Sequence, residues 1–269
     1  MPEAFVNGVS IYYETHGNGF PLVLIAGLGH GGWSFFRQVD DFARDFKVVV
    51  FDNRGVGRSA RPKEGYSINV FAEDTLALLR EIGLEKAHVL GASMGGYVAQ
   101  TLAWAHPECV EKLVLVSTMF GGPSAKPMTQ TALNFFTSRP QGTPEDIVRQ
   151  GLALATSEGF VERNPEVVAK VAEFQLAWPQ NGSAYIGQLS ACGAFLADPQ
   201  TESHLREIQA PTLVVAGSDD KVVPAENAIL LSERIPRSRA VIMENAGHLL
   251  FIEKPQEFNE LVRSFLLEP

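Results

Sequence analysis

The sequence predicts an α/β protein: a mostly parallel sheet flanked by helices, with a helical domain inserted into it. Three observations support this prediction. Short apolar runs rich in β-branched residues alternate with segments of helical period, most of these runs are apolar throughout, and one long interval contains no such run. Because strands that are apolar throughout are buried on both faces, they are typical of a parallel sheet covered by helices.

The first two strands are predicted to form a hairpin. Residues 3–7 and 9–15 are β-rich, and the Asn7-Gly8 pair that joins them is a typical two-residue hairpin turn. The sheet is therefore expected to begin with antiparallel strands. Further strands are predicted at residues 21–26, 47–52, 87–92, 110–117, 211–217 and 239–245, and helices at about 33–44, 68–82, 95–106, 224–235 and 255–267.

The interval from about Phe120 to His204 differs from the rest of the chain, since it contains helical pieces broken by Pro and Gly and no convincing strand. We therefore assign residues 1–121 and 201–269 to the core and residues 122–200 to an inserted helical cap. Most of the cap's many aromatic residues are interpreted as its own small core, and one or two as the lining of a ligand cavity. The cap helices are predicted at 127–138, 144–156, 165–178 and 183–197.

Composition narrows the classes of function. The 269 residues include 22 Lys+Arg and 31 Asp+Glu, a net charge of −9, which disfavours a nucleic-acid partner and an anionic membrane surface because both attract clustered Lys and Arg. The chain has neither a signal-like N-terminal segment nor about 18 consecutive apolar residues, so we expect a soluble, cytoplasmic protein with no membrane partner. Cys109 and Cys192 have no metal-ligand spacing and are expected to be buried. The sequence does not indicate an oligomeric state.

A candidate nucleophile stands in the pentapeptide Gly91-Ala92-Ser93-Met94-Gly95, which has the form G-x-S-x-G. The pattern alone is weak evidence, since Gly and Ser share many turns. Here, however, it follows a predicted strand and precedes a predicted helix, which is the context of a nucleophile elbow that projects the serine hydroxyl above the sheet edge. The Met94 amide would then lie at a helix N-terminus, where it can stabilise an oxyanion.

A serine hydroxyl needs a base to remove its proton and a carboxylate to orient that base. His248 follows the last predicted strand, and Asp219 and Asp220 follow the strand before it, so these groups stand at carboxyl ends of strands, where sites in open α/β sheets gather. An Asp beside a strand end is often a helix N-cap, and we prefer that interpretation for Asp219. The other histidines lack this context, although His30 lies in a loop near the predicted site.

A second motif suggests a different function. Residues 27–32, GLGHGG, satisfy G-x-G-x-x-G after a strand and before a helix, and Asp52 follows the next strand, as in a dinucleotide-binding fold. Against this interpretation, a hairpin precedes the strand, and Asp52 opens a turn-rich loop instead of ending a ribose-binding strand. The same glycines suit a hydrolase, because a tight loop that exposes backbone amides can form an oxyanion hole.

Taken together, these segments make the chain resemble the α/β-hydrolase superfamily, in particular its small cap-bearing esterases, enol-lactonases and haloperoxidase-like or perhydrolase-like members. The resemblance runs nearly end to end and is weakest in the cap. It rests on the glycine loop, the DNRGVGRS loop from Asp52, the GASMGG elbow, the HPECVEKLVLV run from His106, the GSDDKVVP segment and the NAGH segment, in that order.

The resemblance implies a role for each member of a catalytic triad. Ser93 corresponds to the nucleophile, His248 to the general base, and Asp220 to the carboxylate, with Gly217 and Pro224 as the markers of its segment. A serine at the nucleophile position argues against the haloalkane dehalogenases and epoxide hydrolases, in which an aspartate forms the covalent ester.

The resemblance assigns the oxyanion hole to the amides of Met94 and Leu28. Relatives usually have His-Gly at the start of the glycine loop, whereas this chain has Ala26-Gly27, so the imidazole that would brace the loop is missing. Substrate contacts are expected from apolar side chains, which favours an uncharged, largely apolar small molecule. The candidates are Trp33, Phe120, Phe136, Trp178 and Leu249.

The implied chemistry is hydrolysis of a small ester or lactone through an acyl-enzyme, with no metal or organic cofactor. Two alternatives stay open. The same triad can hydrolyse a C–C bond in a vinylogous diketone, and Trp33 with Phe35 and Phe36 faintly resembles that group of relatives. Some members of the fold act instead as ligand receptors or signalling modules, which would turn their ligand over about once or very slowly.

Overall fold

The computed structural model describes residues 2–138, 142–179 and 182–269, which fold around an eight-stranded sheet. Each strand predicted from the sequence is present, with its ends displaced by at most two residues. The strands are β1 (Glu3–Val6), β2 (Val9–His16), β3 (Phe20–Ile25), β4 (Phe46–Phe51), β5 (Ala87–Ala92), β6 (Val110–Val116), β7 (Thr212–Gly217) and β8 (Ser238–Met243).

The strands lie in the order β1-β2-β4-β3-β5-β6-β7-β8. The β1–β2 and β2–β4 pairs are antiparallel, and every other pair is parallel. In the hairpin turn, Asn7 and Gly8 both have positive φ, 48° and 80°, as a type I′ turn requires. The predicted hairpin is therefore confirmed, and the carboxyl ends of β3 to β8 all meet at one edge of the sheet.

Helices cover both faces of the sheet. They are α1 (Val39–Phe42), α2 (Ile68–Glu81), α3 (Met94–Ala105), α4 (Gln130–Thr137), α5 (Pro144–Ala155), α6 (Phe160–Arg163), α7 (Pro165–Ala177), α8 (Gly182–Ala197), α9 (Gln200–His204), α10 (Glu226–Arg234), α11 (Leu250–Glu253) and α12 (Pro255–Leu267). Neighbouring residues of β3 belong to opposite apolar clusters: Val23 to the one that contains Val98 of α3, and Leu24 to the one that contains Phe258 of α12. Burial on both faces explains why most of the parallel strands are apolar throughout.

The continuous helix predicted at residues 33–44 is wrong. The segment forms a 3-10 turn at Gly32–Phe35 and then the short α1. Gln38 lies between the two pieces, fully buried, and its Nε2 donates to the Phe251 carbonyl at 2.8 Å and to Asn259 Oδ1 at 3.1 Å. Packing against the C-terminal helices therefore determines the conformation of this segment and overrides the helical period of its sequence.

Between β6 and β7, the described residues form helices and no strand, as the sequence predicts. The four predicted helices correspond to α4, α5, α7 and α8. Thr129 caps α4 by accepting the Ala132 amide, and Thr143 forms a capping box with Asp146 at the start of α5. The helices α6 and α9 were not predicted, because four and five residues are too few to show a helical period.

The two cysteines are buried, as expected, and they do not form a disulfide with each other. Burial raises the pKa of the Cys109 thiol to about 11 and that of Cys192 to about 12, so both stay protonated near neutral pH. No helix within the described part of the chain is long and apolar enough to span a bilayer.

His88 of β5 is a buried imidazole that links stability to pH. The centroid of its ring lies 4.7 Å from that of Phe20 and 5.8 Å from that of Phe46. Burial, assisted by repulsion from Lys112, lowers the pKa of His88 from 6.5 to about 4. The unfolded chain regains the ordinary pKa, so between these two values the unfolded state binds more protons. The contribution of His88 to stability is therefore complete above pH 6.5 and falls as the pH is lowered towards 4.

We expect His88→Leu to weaken the loss of stability in acid. Urea unfolding midpoints measured from about pH 4 to pH 8 should fall less steeply below pH 6.5 in this variant than in the wild type. The partly exposed His204, replaced by Gln, is the control and should follow the wild type. Equal slopes for the wild type and His88→Leu would contradict the prediction.

Candidate active site

Ser93 lies in a sharp turn between β5 and α3. Its φ of 55° and ψ of −120° are a strained combination for a residue with a side chain. The backbone is held from several sides: the Ser93 amide donates to the Val116 carbonyl at 2.9 Å, and its carbonyl accepts the Gly96 amide at 2.8 Å and the Thr118 hydroxyl at 2.9 Å. The turn has the geometry expected of a nucleophile elbow.

Close packing explains the glycines of this turn. A Cβ atom on Gly91 would lie 2.2 Å from the Gly95 carbonyl oxygen, and one on Gly95 would lie 2.0 Å from the Ile25 carbonyl oxygen. A Cβ atom on Gly96 would lie 2.4 Å from Thr118 Oγ1. No side chain fits at these positions without displacing its neighbours, so the glycines allow the N-terminus of α3 to approach β3 closely.

His248 and Asp220 form a buried hydrogen-bonded pair. His248 Nδ1 donates to Asp220 Oδ2 at 2.9 Å, and Asp220 Oδ1 accepts the amides of Val222 and Val223, both at 2.8 Å. Asp220 lies in the loop after β7, and His248 in the loop after β8. The pair fixes the imidazole proton on Nδ1, so Nε2 is the nitrogen that can accept a proton.

The N-cap interpretation of Asp219 is wrong. The residue that caps α10 is Ala225, without a side-chain hydrogen bond, and Asp219 is exposed and accepts the Ser218 hydroxyl at 2.9 Å. The loop after β7 continues past Asp219 before the helix begins, which takes this side chain away from the helix N-terminus. The two neighbouring aspartates therefore lie in different environments, and only Asp220 contacts His248.

Ser93, Asp220 and His248 stand at the same edge of the sheet, because β5, β7 and β8 run parallel. Tyr97, one turn after Ser93 in α3, is close enough to Asp220 that the carboxylate adds to burial in raising the pKa of the phenol. Among the described residues, no hydrogen bond joins the Ser93 hydroxyl to His248. A hydrogen bond between a nucleophile and its base often forms with good geometry only when substrate is bound.

The glycine loop packs directly against Ser93. A Cβ atom on Gly27 would lie 3.2 Å from Ser93 Cβ, so the two residues are in contact. The loop forms a tight turn in which the His30 amide donates to the Gly27 carbonyl at 3.1 Å. Gly29, the third residue of the turn, has a φ of 70°. A positive φ at that position is characteristic of a type II turn and favours glycine there.

His30 braces this turn from within. Its Nδ1 donates to the Leu28 carbonyl at 2.8 Å, and its ring lies 5.3 Å from that of Trp33. Burial is the main cause of the lowered pKa of His30. The hydrogen bond to Leu28 acts in the opposite direction and raises the pKa, whereas repulsion from the nearby His248 lowers it further. His30 is therefore neutral near pH 7. Relatives usually have a histidine where this chain has Ala26. In the structure, the imidazole of His30 contacts the glycine loop instead.

A buried glutamine, missed in the sequence, holds the same turn from the inserted helices. Gln188 of α8 has no exposed surface. Its Oε1 accepts the Gly29 amide at 2.9 Å, and its Nε2 donates to the Arg54 carbonyl at 3.0 Å. The available signal was a polar residue in the otherwise apolar stretch around it, since a buried amide side chain needs hydrogen-bond partners.

The five candidate substrate residues are buried or partly buried but lie in two different apolar clusters. Phe120 is fully buried, and the Arg234 guanidinium lies over its ring at 4.9 Å. Trp178 lies under the Arg58 guanidinium at 4.5 Å and lines a small recess between α8 and two core loops. Both aromatics therefore have partners within the protein. Trp33, Trp178 and Leu249 lie in or against the cluster that contains α12, and Phe120 and Phe136 in or against the opposite one.

Asp52 does not have the role that a dinucleotide-binding fold would require. Its Oδ1 accepts the Gly32 amide at 2.9 Å, and its Oδ2 accepts the Arg58 amide and Nε at 2.9 and 3.1 Å. Both carboxylate oxygens therefore tie the glycine loop to the loop after β4, and the carboxylate is fully buried. In the part of the chain that the structure describes, no group of three or more His, Cys, Asp or Glu side chains could hold a metal ion.

The chain is similar over nearly its whole length to known proteins. A family model described as "alpha/beta hydrolase fold" matches residues 21–255. The chain is 31% identical over 277 aligned residues to a protein named "Putative carbamate hydrolase RutD" from Azorhizobium caulinodans, and the alignment covers 98% of both chains.

Two solved structures are also similar to this chain over nearly its whole length. The enol-lactonase from Burkholderia xenovorans LB400 is 27% identical with a TM-score of 0.83, covering 99% of this chain and 100% of that one. Est816, described as an N-acyl homoserine lactone degrading enzyme, is 31% identical with a TM-score of 0.81, covering 98% of this chain and 100% of that one. The match of the family model, together with the sheet order and the serine turn, shows that the chain belongs to the α/β-hydrolase family.

Proposed function

We propose that the protein is a serine hydrolase that cleaves a carboxylic ester or lactone of a small, largely apolar substrate through an acyl-enzyme intermediate. The observation that carries this proposal is the buried pair of Asp220 and His248, with 2.9 Å between Oδ2 and Nδ1, at the same sheet edge as the strained Ser93. A serine that attacks a carbonyl needs a base and a carboxylate that orients this base, and the pair supplies both.

Each step follows from these three side chains. Ser93 Oγ attacks the substrate carbonyl carbon while His248 Nε2 takes the hydroxyl proton, and Asp220 stays ionised to stabilise the imidazolium. The tetrahedral intermediate collapses, its bond to the leaving alkoxide breaks, and His248 returns the proton to that oxygen. Water then attacks the acyl carbon while His248 Nε2 takes its proton; the bond to Ser93 Oγ breaks, His248 returns the proton to this oxygen, and the carboxylic acid is released.

We assign the oxyanion hole to the amides of Met94 and Leu28. Met94 is the first residue of α3, and the first amides of a helix have no partner within the helix. Leu28 is the second residue of the turn that begins at Gly27, which contacts Ser93. Two amides from different segments thus donate hydrogen bonds to the oxygen of the carbonyl that Ser93 attacks.

We further propose that residues 122–200 form a cap that selects the substrate. Trp33 of the core stacks on Phe174 of α7 at 5.2 Å, and the Leu249 amide, in the loop after β8, donates to the Ala155 carbonyl at the end of α5 at 2.8 Å. The inserted helices therefore contact the loops around Ser93. All bond-making groups belong to the core, so the cap selects the substrate without contributing a residue to the triad.

The experiment that tests this function is a turnover assay over a panel of aryl and alkyl esters, lactones, carbamates and a vinylogous diketone. The names of the two solved relatives include lactone substrates, which supports ester and lactone chemistry here. We expect repeated turnover with the highest kcat/KM on an ester or lactone. A higher kcat/KM on the carbamate or the diketone would replace the proposed substrate class, and a single turnover per molecule would indicate a ligand receptor.

A further inference from the structure

The turn that bears Leu28 is hydrogen-bonded to a residue of the inserted helices. Gln188 lies 159 residues from Gly29 in the chain and is fully buried against it. We propose that Gln188 is a positioning residue: by holding the peptide between Leu28 and Gly29, it fixes the turn relative to Ser93 and so places the preceding peptide, whose N–H is the Leu28 amide assigned to the oxyanion hole. This inference rests on the proposed function, because it assigns a role within the same site.

The turn needs such a contact because its central peptide can adopt two orientations. Type I and type II turns differ mainly in a rotation of the peptide between the second and third residues. In this turn that peptide joins Leu28 to Gly29, and glycine has no Cβ atom that would disfavour either orientation. The local sequence therefore leaves the orientation undecided, whereas the structure shows the type II form, with a φ of 70° at Gly29.

Both ends of this peptide are held by side chains. His30 Nδ1 donates to the Leu28 carbonyl at 2.8 Å, and Gln188 Oε1 accepts the Gly29 amide at 2.9 Å. His30 belongs to the same turn and moves with it, so it cannot fix the turn relative to Ser93. Gln188 comes from α8, and this makes it the external contact of the two.

The orientation of the Gln188 side chain is itself fixed. Its Nε2 donates to the Arg54 carbonyl at 3.0 Å, so the amide group presents its oxygen, and not its nitrogen, to Gly29. Gln188 thus joins three segments: α8, the glycine loop and the loop after β4. A rotation of the central peptide would leave the Gly29 amide without this acceptor. A displacement of α8 would therefore also loosen the turn that carries the Leu28 amide.

Replacing Gln188 by Met tests the inference, since Met has a similar length and can make neither hydrogen bond. On the best ester or lactone of the panel, kcat should fall about ten- to a hundredfold while KM changes by less than about threefold, because the lost interaction acts on the transition state. The matched control is Gln38→Met, which also removes a fully buried glutamine whose Nε2 bridges two segments. It should lower the thermal midpoint comparably and leave kcat close to that of the wild type.

Amide hydrogen exchange gives a second measurement that does not require activity. The amides of residues 27–30 should exchange faster in Gln188→Met than in the wild type, and at the wild-type rate in Gln38→Met. Equal losses of kcat in the two variants, or unchanged exchange in Gln188→Met, would overturn the inference while the proposed function stands. Absence of ester and lactone turnover in the wild type would overturn the proposed function, whatever the exchange shows.

Discussion

Replacement of Ser93 by Ala is expected to abolish covalent labelling by an organophosphonate and to lower kcat by a factor on the order of 10³–10⁶. The hydroxyl is the group that attacks the substrate, whereas the hydrogen bonds that hold the turn use the amide and carbonyl of Ser93, with Val116, Gly96 and Thr118 as partners. Alanine keeps both backbone groups and the Cβ atom. The variant should therefore fold as the wild type does, which its thermal midpoint and circular dichroism spectrum would check.

Ser117 provides a matched control for this experiment. It too is a serine with positive φ, 46°, and it directly follows a parallel strand, β6. It is buried, and its hydroxyl has no hydrogen-bond partner among the described residues. Ser117→Ala should keep full labelling and activity. Labelling that persists in Ser93→Ala would end the serine-nucleophile proposal.

Elements whose signal is local were predicted well from the sequence. The parallel strands are visible because each is apolar on both faces, and the Asn7-Gly8 turn is visible because both residues accept positive φ. The interruption of the helix predicted at 33–44 was not visible, since it depends on contacts of Gln38 with residues more than 200 positions away. Local patterns do not record such contacts.

The same distinction applies to the candidate site. Ser93, Asp220 and His248 could be proposed because each follows a strand within a recognisable segment, and the parallel sheet brings strand ends together. The contact between Gln188 and Gly29 could not be proposed, because it joins a core loop to a helix whose position no local pattern specifies. The role of Asp52 could not be proposed either, because it becomes visible only when the backbone amides that donate to its carboxylate are known.

Replacement of Asp220 by Asn is expected to lower kcat by about 10⁴ without unfolding the protein. Asp220 accepts the amides of Val222 and Val223 on one oxygen and His248 Nδ1 on the other. An asparagine can keep its oxygen on the two amides, which turns its NH₂ group towards His248. Nδ1 must then accept a hydrogen bond, so the imidazole proton moves to Nε2, the nitrogen that has to take the proton of Ser93. The loop after β7 therefore keeps its conformation, whereas His248 can no longer act as the base.

The neighbouring Asp219 is the control that separates this mechanism from a general effect of removing charge. It is exposed and its carboxylate accepts the Ser218 hydroxyl, so Asp219→Asn should change kcat by no more than about twofold. Nitrogen-15 NMR of the imidazole should show the proton on Nδ1 in the wild type and in Asp219→Asn, and on Nε2 in Asp220→Asn. The opposite ranking of kcat would place the catalytic carboxylate on Asp219. A large loss in both variants, with lowered thermal midpoints, would instead mean that the loop after β7 needs both charges to keep its shape.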